Sequence, residues 1–176
     1  MKHEIRILTS LNTAIVVIKE PEIFLISLED IDLVKRWRWR CSNNYYLTRD
    51  GKDYTVKPVK SFKVTLHKII VERMGLDVNN KWIDHINRNP KDNRRNNLRV
   101  VTYQENCMNR GISKANTSGY KGVVWVTADQ KWRSQIKING KNIVLGYHDD
   151  PKEGGILYNK AAYEHYGNIA YLNEID

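Results

Sequence analysis

Three side chains in the middle of the chain have the types and the spacing needed for one reaction. Asp84 and His85 follow an apolar segment, and Asn106 lies in a short helix-like segment further along. A carboxylate and an amide oxygen, completed by waters and a substrate phosphate, are typical ligands of magnesium in proteins. A neighbouring neutral imidazole can take a proton from an attacking water, and the metal can offset the charge on the phosphate and on the leaving oxygen. Together these groups could hydrolyse a phosphodiester.

Two predicted strands and a predicted helix would have to position these side chains. KWID and LRVVT have the composition of short strands, and the asparagine-rich run DHINRNPKDNRRNNL (84–98) separates them. Thr102 and Glu105 form the pattern of a capping box, which predicts the start of a helix. If the strands pair as a hairpin and the helix packs across them, Asn106 can meet Asp84. The alternative is a compact surface loop whose asparagines form turns with their own backbone.

The region before this run is predicted to be rich in β-strands. Residues 1–66 contain several short apolar runs, and Asp50-Gly51 is a typical turn dipeptide between strands. RWRWR (36–40) alternates as a half-buried strand does. We expect its tryptophans in the core and its arginines in solvent, and the alternative is that these arginines contact phosphates. A short helix is predicted just before it, and the apolar spacing of HKIIVERMGL (67–76) predicts a second helix.

The segment from about residue 25 to residue 110 resembles the HNH endonucleases of the phage and intron homing type. The matching positions are a histidine before a helix, an Asp-His-Ile core, an Asn-Leu-Arg box and a Glu-Asn pair, at His67, 84–86, 97–99 and 105–106. The resemblance implies a ββα-metal fold and an endonuclease that leaves a 5′-phosphate and a 3′-hydroxyl. It also implies one divalent metal in each active site, Mg²⁺ or another such as Mn²⁺.

The same resemblance implies a role for each matching residue. Asp84 and Asn106 would bind the metal, and His85 would be the general base. Asn97 would hold the polar loop and orient His85, and His67 would be a supporting residue of the catalytic site. The alternative for His67 is a partly buried histidine with a structural role only.

Other residues of this segment qualify the resemblance. Arg88 and Asn89-Pro90 stand where many members have Asp or Gly, which should affect the loop more than the chemistry. The chain has two cysteines, too few for a four-cysteine zinc site, so the resemblance excludes the zinc-stapled variant of the family. We expect phosphate or DNA contacts from four arginines of the segment: Arg88, Arg94, Arg95 and Arg99.

The C-terminal part of the chain carries the pattern of a small sheet and one helix. YKGVVWV, KWRSQIKI and NIVLGYH are predicted to be three strands, and Asn139-Gly140 is a strong hairpin signal. A helix is predicted to begin at Asp149 or Asp150, with Pro151 in its first turn, and to end at Gly167. One alternate set of residues in KWRSQIKI would pack on this helix, and the other set would form a basic polar face.

Residues 118–173 resemble the plant ethylene-response-factor (APETALA-type) DNA-binding domain. The matching pieces include Tyr120-Lys121-Gly122-Val123, Lys131-Trp132 and Leu145-Gly146-Tyr147. The resemblance implies that the polar sheet face lies in the major groove of double-stranded DNA, with the helix behind it. Pattern and resemblance together give these expected DNA contacts: Lys121, Arg133, Gln135, Lys137, Lys141 and Asn142. The alternative is a solvated sheet face.

Two differences separate this segment from the plant domains. Val124 and Val144 stand at family contact positions, so the target sequence of the plant domains cannot be carried over. Gly154-Gly155 replaces the usual alanine pair in the helix, which should cost about 1 kcal/mol of helix stability per glycine.

The composition agrees with binding to an anionic partner. The formal net charge is +9 and the pI is near 9.5, which favours nucleic acid before a membrane surface. No apolar run is long enough to span a membrane, and MKHEIRILTS lacks the pattern of a secretory leader. We therefore expect a cytoplasmic protein of a bacterial or phage-infected cell, with no membrane partner and no obligatory protein partner.

The sequence predicts an α+β protein in which a β-rich region leads into a ββα-metal core, followed by a three-stranded antiparallel sheet packed on one helix. The expected parts are an HNH nuclease domain (1–110), a linker (111–118) and an APETALA-type DNA-binding domain (119–176). The predicted function is a metal-dependent, sequence-recognising DNA endonuclease of the homing or mobile-element type. The alternative is a non-catalytic DNA-binding regulator with a decayed HNH core. RNA binding is disfavoured because the predicted sheet face lacks stacking aromatic residues.

Overall fold

The chain forms a mixed α+β structure with four α-helices and several small sheets among the residues that the structure describes. This computed structural model describes residues 4–8, 11–19, 22–42, 46–53 and 60–176. The chain divides into two compact units, Met1–Val100 and Val101–Asp176. No helix in the described ranges combines the length and the apolar composition needed to cross a membrane.

The first unit consists mainly of short strands, with two helices between them. Its elements are β1 (Glu4–Leu8), β2 (Thr13–Lys19), β3 (Glu22–Ser27), α1 (Ile31–Arg36), β4 (Arg40–Ser42), β5 (Tyr46–Asp53), β6 (Lys60–Thr65), α2 (Leu66–Arg73), β7 (Trp82–His85), β8 (Asp92–Asn93) and β9 (Leu98–Val101). The two helices predicted in this region are confirmed as α1 and α2. The strands predicted on either side of the polar run are confirmed as β7 and β9, which pair with each other.

The described residues of this unit form three sheets, in the strand orders β1-β2-β3-β8, β4-β5-β6 and β7-β9. β8 lies inside the polar run and pairs in parallel with β3, so that Leu25 faces Asp92 and Ile26 faces Asn93. The Leu25 N–H also donates to the Lys91 carbonyl at 2.9 Å. The middle of the polar run is therefore tied to a strand of the core.

One hydrophobic cluster joins the strands and helices of the first unit. It contains Phe24 of β3, Val34 of α1 and Ile70 of α2, all almost fully buried. Leu98 of β9 belongs to the same cluster. Burial of side chains of this size contributes about 1.5–3 kcal/mol each, so the cluster fixes the strand that follows the polar run.

The prediction of a strand over RWRWR is wrong. Helix α1 continues to Arg36, and β4 begins only at Arg40. The expected position of the tryptophans is confirmed for Trp39, which is buried and donates from Nε1 to the Leu33 carbonyl at 3.0 Å. This anchor explains the alternating pattern without a strand, because it turns Trp39 inward as the chain leaves the helix.

The prediction of a turn at Asp50-Gly51 is also wrong. Both residues lie inside β5, where Gly51 is paired with Phe62 of β6. A Cβ on Gly51 would lie 2.6 Å from the Phe62 ring. The glycine is therefore explained by the space that the ring occupies rather than by a turn.

The second unit begins with a short helix and continues into the predicted sheet and helix. Its elements are α3 (Tyr103–Asn109), β10 (Val123–Val126), β11 (Lys131–Ile138), β12 (Lys141–His148) and α4 (Pro151–Tyr166). The strands form an antiparallel sheet in the order β10-β11-β12, and Ile136 of β11 packs with Tyr158 and Ala162 of α4. The predicted sheet and helix are confirmed.

The predicted turn and cap residues of this unit have the expected conformations. Asn139 and Gly140 have φ of 49° and 79°, as a tight hairpin turn requires. Asp150 accepts from the Lys152 N–H at the start of α4, and Gly167, with φ of 52°, ends the helix.

The glycine pair of α4 allows the helix to approach its neighbours closely. A Cβ on Gly154 would lie 3.1 Å from Val123 and 3.3 Å from Ser134 in the sheet, and one on Gly155 would lie 2.8 Å from the Tyr120 ring. The two glycines have a lower helix propensity than an alanine pair, and they allow α4 to pack closely against the sheet and the Tyr120 ring.

The segment expected to be a linker, 111–118, is hydrogen-bonded to the start of the sheet. Asn116 donates to the Tyr120 carbonyl at 2.9 Å, and the Ser118 hydroxyl donates to the Val123 carbonyl at 2.9 Å. The boundary between the compact units falls before α3, not after it. The assignment of these parts to a nuclease domain and a DNA-binding domain stays a prediction.

Candidate active site

β7 ends in the two residues that open the polar run. Asp84 and His85 are both buried, at 6% and 7% exposure. Arg99 of the paired strand β9 binds Asp84 with Nε at 2.8 Å and Nη2 at 2.7 Å, both to the same carboxylate oxygen, Oδ2. The guanidinium group thus offsets a carboxylate charge that has little access to water. Arg99, which the sequence predicts as a DNA contact, has a carboxylate partner within the chain.

His85 lies in a cluster of aromatic rings that three elements supply. The ring of His67, at the start of α2, is 5.4 Å from the ring of His85 between centroids, in an edge-on arrangement. The ring of Tyr46 in β5 is 5.3 Å from that of His67 and 6.4 Å from that of His85. The structure thus brings together the two histidines that the sequence singles out. Sequence analysis does not find Tyr46, because one tyrosine in a strand carries no spacing signal.

Asn93 of β8 makes a polar contact with His85. Its Oδ1 lies 3.4 Å from His85 Nε2, and the asparagine is almost fully buried. Its Nδ2 faces the Lys91 carbonyl at 3.5 Å, which agrees with Oδ1 being the atom turned to the histidine. An amide oxygen only accepts hydrogen bonds, so His85 donates from Nε2 and carries the lone pair of its neutral ring on Nδ1.

Burial lowers the pKa of both histidines. Burial first, and the neighbouring His85 second, lower the pKa of His67 to about 4. Burial also lowers the pKa of His85 below its usual value, while the hydrogen bond to Asn93 and the charges of two aspartates, Asp84 and Asp92, act in the opposite direction. Both rings are therefore neutral at neutral pH, and His85 can accept a proton.

Asn97 closes the polar run through its side chain and its backbone. Its Nδ2 donates to Asn87 Oδ1 at 2.9 Å and to the Asp92 carbonyl at 2.7 Å, and its Oδ1 accepts from the Asn87 N–H at 2.9 Å. Its carbonyl accepts from the Ile86 N–H at 2.9 Å. These contacts agree with the predicted part of Asn97 in holding the loop. The proposal that Asn97 orients His85 stays a prediction. The side-chain amide that contacts the His85 ring is that of Asn93.

Two arginines that the sequence predicts as phosphate contacts bind carboxylates of the first unit. Arg94 binds Asp92 with Nε at 2.8 Å and Nη2 at 2.6 Å. Arg95 binds the buried Asp30 with Nε and Nη2, both at 2.7 Å. Burial would raise the pKa of Asp92, but the hydrogen bonds from Arg94 hold this pKa below its usual value. A phosphate would have to share these guanidinium groups. Arg88 lies in the run with a φ of 62°.

Asn106 lies on α3, in the second compact unit, and is half-buried. The predicted capping box at the start of this helix is confirmed. Thr102 Oγ1 accepts from the Glu105 N–H at 3.2 Å, and Glu105 Oε2 accepts from the Thr102 N–H at 2.7 Å. The role of Asn106 as a metal ligand together with Asp84 stays a prediction.

The sheet of the second unit carries several of the predicted DNA contacts on one face. Arg133, Gln135 and Lys137 alternate with buried residues along β11. Lys137 is paired with Asn142 of β12, and both are exposed. The alternation of the sequence thus predicts this face correctly. Its contact with DNA stays a prediction.

The two other lysines predicted to contact DNA are placed differently. Lys141 is paired with Ile138, whose side chain packs against the core of this unit. Because paired residues share a face of the sheet, Lys141 lies on the face opposite to that of Arg133, Gln135 and Lys137. The Lys121 ammonium lies 2.6 Å from the carbonyl oxygens of both Met108 and Arg110. The Lys121 ammonium therefore binds the end of α3, and its contact with DNA stays a prediction.

The residues that the structure describes contain no group of three or more His, Cys, Asp or Glu side chains able to hold a metal. A divalent metal bound by Asp84 and Asn106 would take its other ligands from water and from a substrate phosphate, as magnesium usually does. Carboxylate and amide oxygens are hard ligands, so this donor set fits Mg²⁺ or Mn²⁺.

Comparison with known proteins identifies the segment that contains these residues. Residues 64–108 match the family described as HNH endonuclease. The chain is 28% identical over 153 residues to an uncharacterized HNH endonuclease of Acanthamoeba polyphaga mimivirus. The aligned segment covers 86% of this chain and 74% of that protein. It is 40% identical over 60 residues to protein 3.8 of Escherichia phage T7. This aligned segment covers 34% of this chain and 50% of that protein. No solved structure matches.

The family match supports nuclease activity for this segment at the level of the family. The matched range contains His67, Asp84, His85, Asn97 and Asn106. HNH nucleases generally use a divalent metal. The chain spans half the length of the phage T7 relative and about three quarters of the mimivirus relative.

Proposed function

We propose that this chain is a divalent-metal-dependent DNA endonuclease. His85 is its general base, and Asp84 and Asn106 hold one metal ion, Mg²⁺ or Mn²⁺. The observation that carries this proposal is a buried, neutral imidazole next to a buried aspartate, inside the segment that matches the HNH endonuclease family. A neutral base and an anionic oxygen ligand are what hydrolysis of a phosphodiester requires.

In the proposed reaction, His85 removes a proton from a water at Nδ1, since Nε2 donates to Asn93. The water oxygen forms a bond to phosphorus as the bond from phosphorus to the 3′-oxygen breaks. The products are a 5′-phosphate and a 3′-hydroxyl, whose proton comes from solvent. When bound, the metal would offset the charge that develops on the phosphate and on the leaving oxygen.

His67 and Asn97 act on the base through the structure around it. His67 packs edge-on against His85 and stays neutral at neutral pH, so it adds no positive charge beside the base. Asn97 closes the loop that also carries Asn93. Both are positioning residues in this proposal.

Arg99 is compatible with metal binding at Asp84. Its Nε and Nη2 contacts both go to Oδ2, and an ionised carboxylate has about four lone-pair sites on two oxygens, so Arg99 and a metal can share it. The ion pair also provides the one observation that favours the alternative function, a DNA-binding regulator without catalysis. In that case Arg99 replaces the metal permanently as the partner of the carboxylate.

The proposed substrate is double-stranded DNA, which the sheet of the second unit recognises in the major groove. The support is a row of Arg133, Gln135 and Lys137 beside Asn142, since such side chains read base edges and phosphates. A net charge of +9 favours association with this polyanion. We place the enzyme with the homing or mobile-element endonucleases, to which the sequence resemblance points.

Nicking of supercoiled plasmid tests the proposal. We expect cleavage with Mg²⁺ or Mn²⁺, no cleavage with a chelator, and loss of cleavage with retained DNA binding in His85→Ala. His165→Ala is the matched control, because His165 is an exposed histidine on α4. If the wild type binds DNA but cuts neither plasmid nor phage genomic DNA with either metal, the regulator is the correct function.

A further inference from the structure

We propose that Lys121 is a positioning residue for metal binding, because it anchors the helix that carries Asn106. This inference rests on the proposed role of Asn106 as a metal ligand. We call the sheet and helix of the second unit, β10 to β12 with α4, the sheet module. This module would then have a second task besides DNA binding, namely to hold one metal ligand of the nuclease in place. All contacts that support the inference lie within the second compact unit.

Helix α3 is too short to be stable without partners. It has seven residues, and isolated helices shorter than about 12 residues are marginal in water. The capping box of Thr102 and Glu105 satisfies its first turn. The carbonyl groups of its last turn have no partners inside the helix and need donors from elsewhere.

Lys121 supplies these donors from the start of the sheet module. Its ammonium lies 2.6 Å from the Met108 carbonyl, 2.6 Å from the Arg110 carbonyl and 3.4 Å from the Cys107 carbonyl. An ammonium group has three donors, and a positive charge is favourable at the negative end of a helix. The backbone N–H of Tyr171 adds a bond to the Met108 carbonyl at 2.9 Å.

Lys121 is itself held by the module from which it extends. The Lys121 N–H donates to Asn173 Oδ1 at 2.6 Å, and Asn173 Nδ2 donates to the Lys121 carbonyl at 3.2 Å. Asn173 is buried and exchanges two further hydrogen bonds with Asn159 of α4, at 2.7 Å and 2.9 Å. The anchor is therefore continuous from α4 to the end of α3.

A second contact fixes the first turn of α3 to the same module. Gln104 donates to the Tyr166 hydroxyl, which donates in turn to the Lys137 carbonyl at 2.9 Å. Asn106 lies between these two anchored turns. Its position is thus determined by the second unit at both ends of the helix, although its proposed chemistry belongs with Asp84.

Three full-length variants test the inference against the DNA contact that the sequence resemblance implies for Lys121. Lys121→Met removes the anchor, and Lys121→Arg keeps the charge and several donors. Lys137→Met is the matched control, because it removes an equal charge from the exposed sheet face. If methionine prevents folding, Lys121→Gln takes its place, since it keeps a donor and loses the charge.

The first measurement is amide hydrogen exchange of α3 without metal or DNA. We expect about tenfold faster exchange or more in Lys121→Met, because a hydrogen bond to a charged group contributes about 1.5–3 kcal/mol. Lys121→Arg should restore slow exchange, and Lys137→Met should keep it. Unchanged exchange of α3 in Lys121→Met would overturn the inference.

The second measurement is Mn²⁺ binding without DNA, followed by electron paramagnetic resonance of the free ion. We expect Lys121→Met to weaken binding by about threefold or more, because apparent affinity falls with the fraction of competent molecules. Lys137→Met should bind Mn²⁺ like the wild type. Wild-type affinity in Lys121→Met, despite faster exchange of α3, would overturn the link to the metal.

The third measurement is binding to a random-sequence DNA duplex at several salt concentrations, without metal. Lys137→Met should reduce the salt dependence by about one phosphate contact, and Lys121→Met should leave it unchanged. A reduced salt dependence in Lys121→Met with normal exchange of α3 would make Lys121 a DNA contact and refute the inference. Failure of the wild type to bind Mn²⁺ even with this duplex present would instead refute the proposed function, whatever the exchange of α3 shows.

Discussion

The half-buried ring of His67 gives the protein a specific response to acid. Its pKa is lowered from 6.5 to about 4 in the folded chain, mainly by burial. In the unfolded chain the ring takes up a proton near pH 6.5, and the folded chain resists this proton until about pH 4. The contribution of His67 to stability is therefore complete above pH 6.5 and is lost as the pH falls. The difference of about 2.5 pKa units corresponds to roughly 3 kcal/mol of unfolding free energy between pH 7 and pH 4.

Urea unfolding at a series of pH values measures this contribution. We expect the free energy of unfolding of the wild type to fall more steeply with acid than that of His67→Phe, which has an aromatic ring without the titrating group. The difference between the two proteins should change by roughly 3 kcal/mol from pH 7 to pH 4, whatever its value at pH 7. Parallel curves over this range would refute the argument, because they would show that the folded state protonates His67 as easily as the unfolded state does.

Three further substitutions test other parts of the structure. Asn93→Leu removes the acceptor that holds the ring of the general base, and should lower the single-turnover rate constant of cleavage about fivefold with unchanged DNA binding, since such a bond contributes about 1 kcal/mol. An unchanged single-turnover rate constant would contradict this role. Arg99→Leu leaves a buried carboxylate without its guanidinium partner, so we expect a loss of about 3 kcal/mol without metal and a larger rise in Tm with Mg²⁺ than in the wild type. Gly122→Ala would place a methyl group against the Tyr158 ring at a φ of 81°, and should lower Tm more than Gly119→Ala, which has a similar φ of 78° and open space around it.

Local patterns in the sequence predict much of the fold. The capping box of α3, the Asn139-Gly140 hairpin and the limits of α4 each depend on residues close together in the chain, and all are confirmed. Two predictions fail where a side-chain contact that the local pattern does not show determines the local structure. Gly51 stays within a strand because Phe62 covers it, and RWRWR is not a strand because Trp39 binds the end of the preceding helix.

The candidate site shows the same division between local and distant signals. The residues that open and close the polar run, Asp84, His85 and Asn97, are found because their motif is contiguous or closely spaced. Asn93 and Tyr46 reach His85 only through pairing with other strands, and no spacing in the sequence indicates them. The contacts of Lys121 are not indicated by the sequence for a related reason, because alternation along a strand cannot show that the ammonium binds a neighbouring helix.

The hydrophobic core has a direct part in holding the proposed base. Asn93, which contacts His85, lies in β8, and β8 exists through its parallel pairing with Leu25 and Ile26 of β3. Ile26 is fully buried in the main hydrophobic cluster. A strand of two residues in a polar loop has little stability alone, so its pairing with β3, together with the bond from Asn97 to the Asp92 carbonyl, holds the Asn93 amide near the ring. Substitutions in β3 that loosen its pairing with β8 should therefore lower activity before they unfold the protein. The contact between Asn93 and His85 depends on this pairing, whereas most contacts of the hydrophobic core do not.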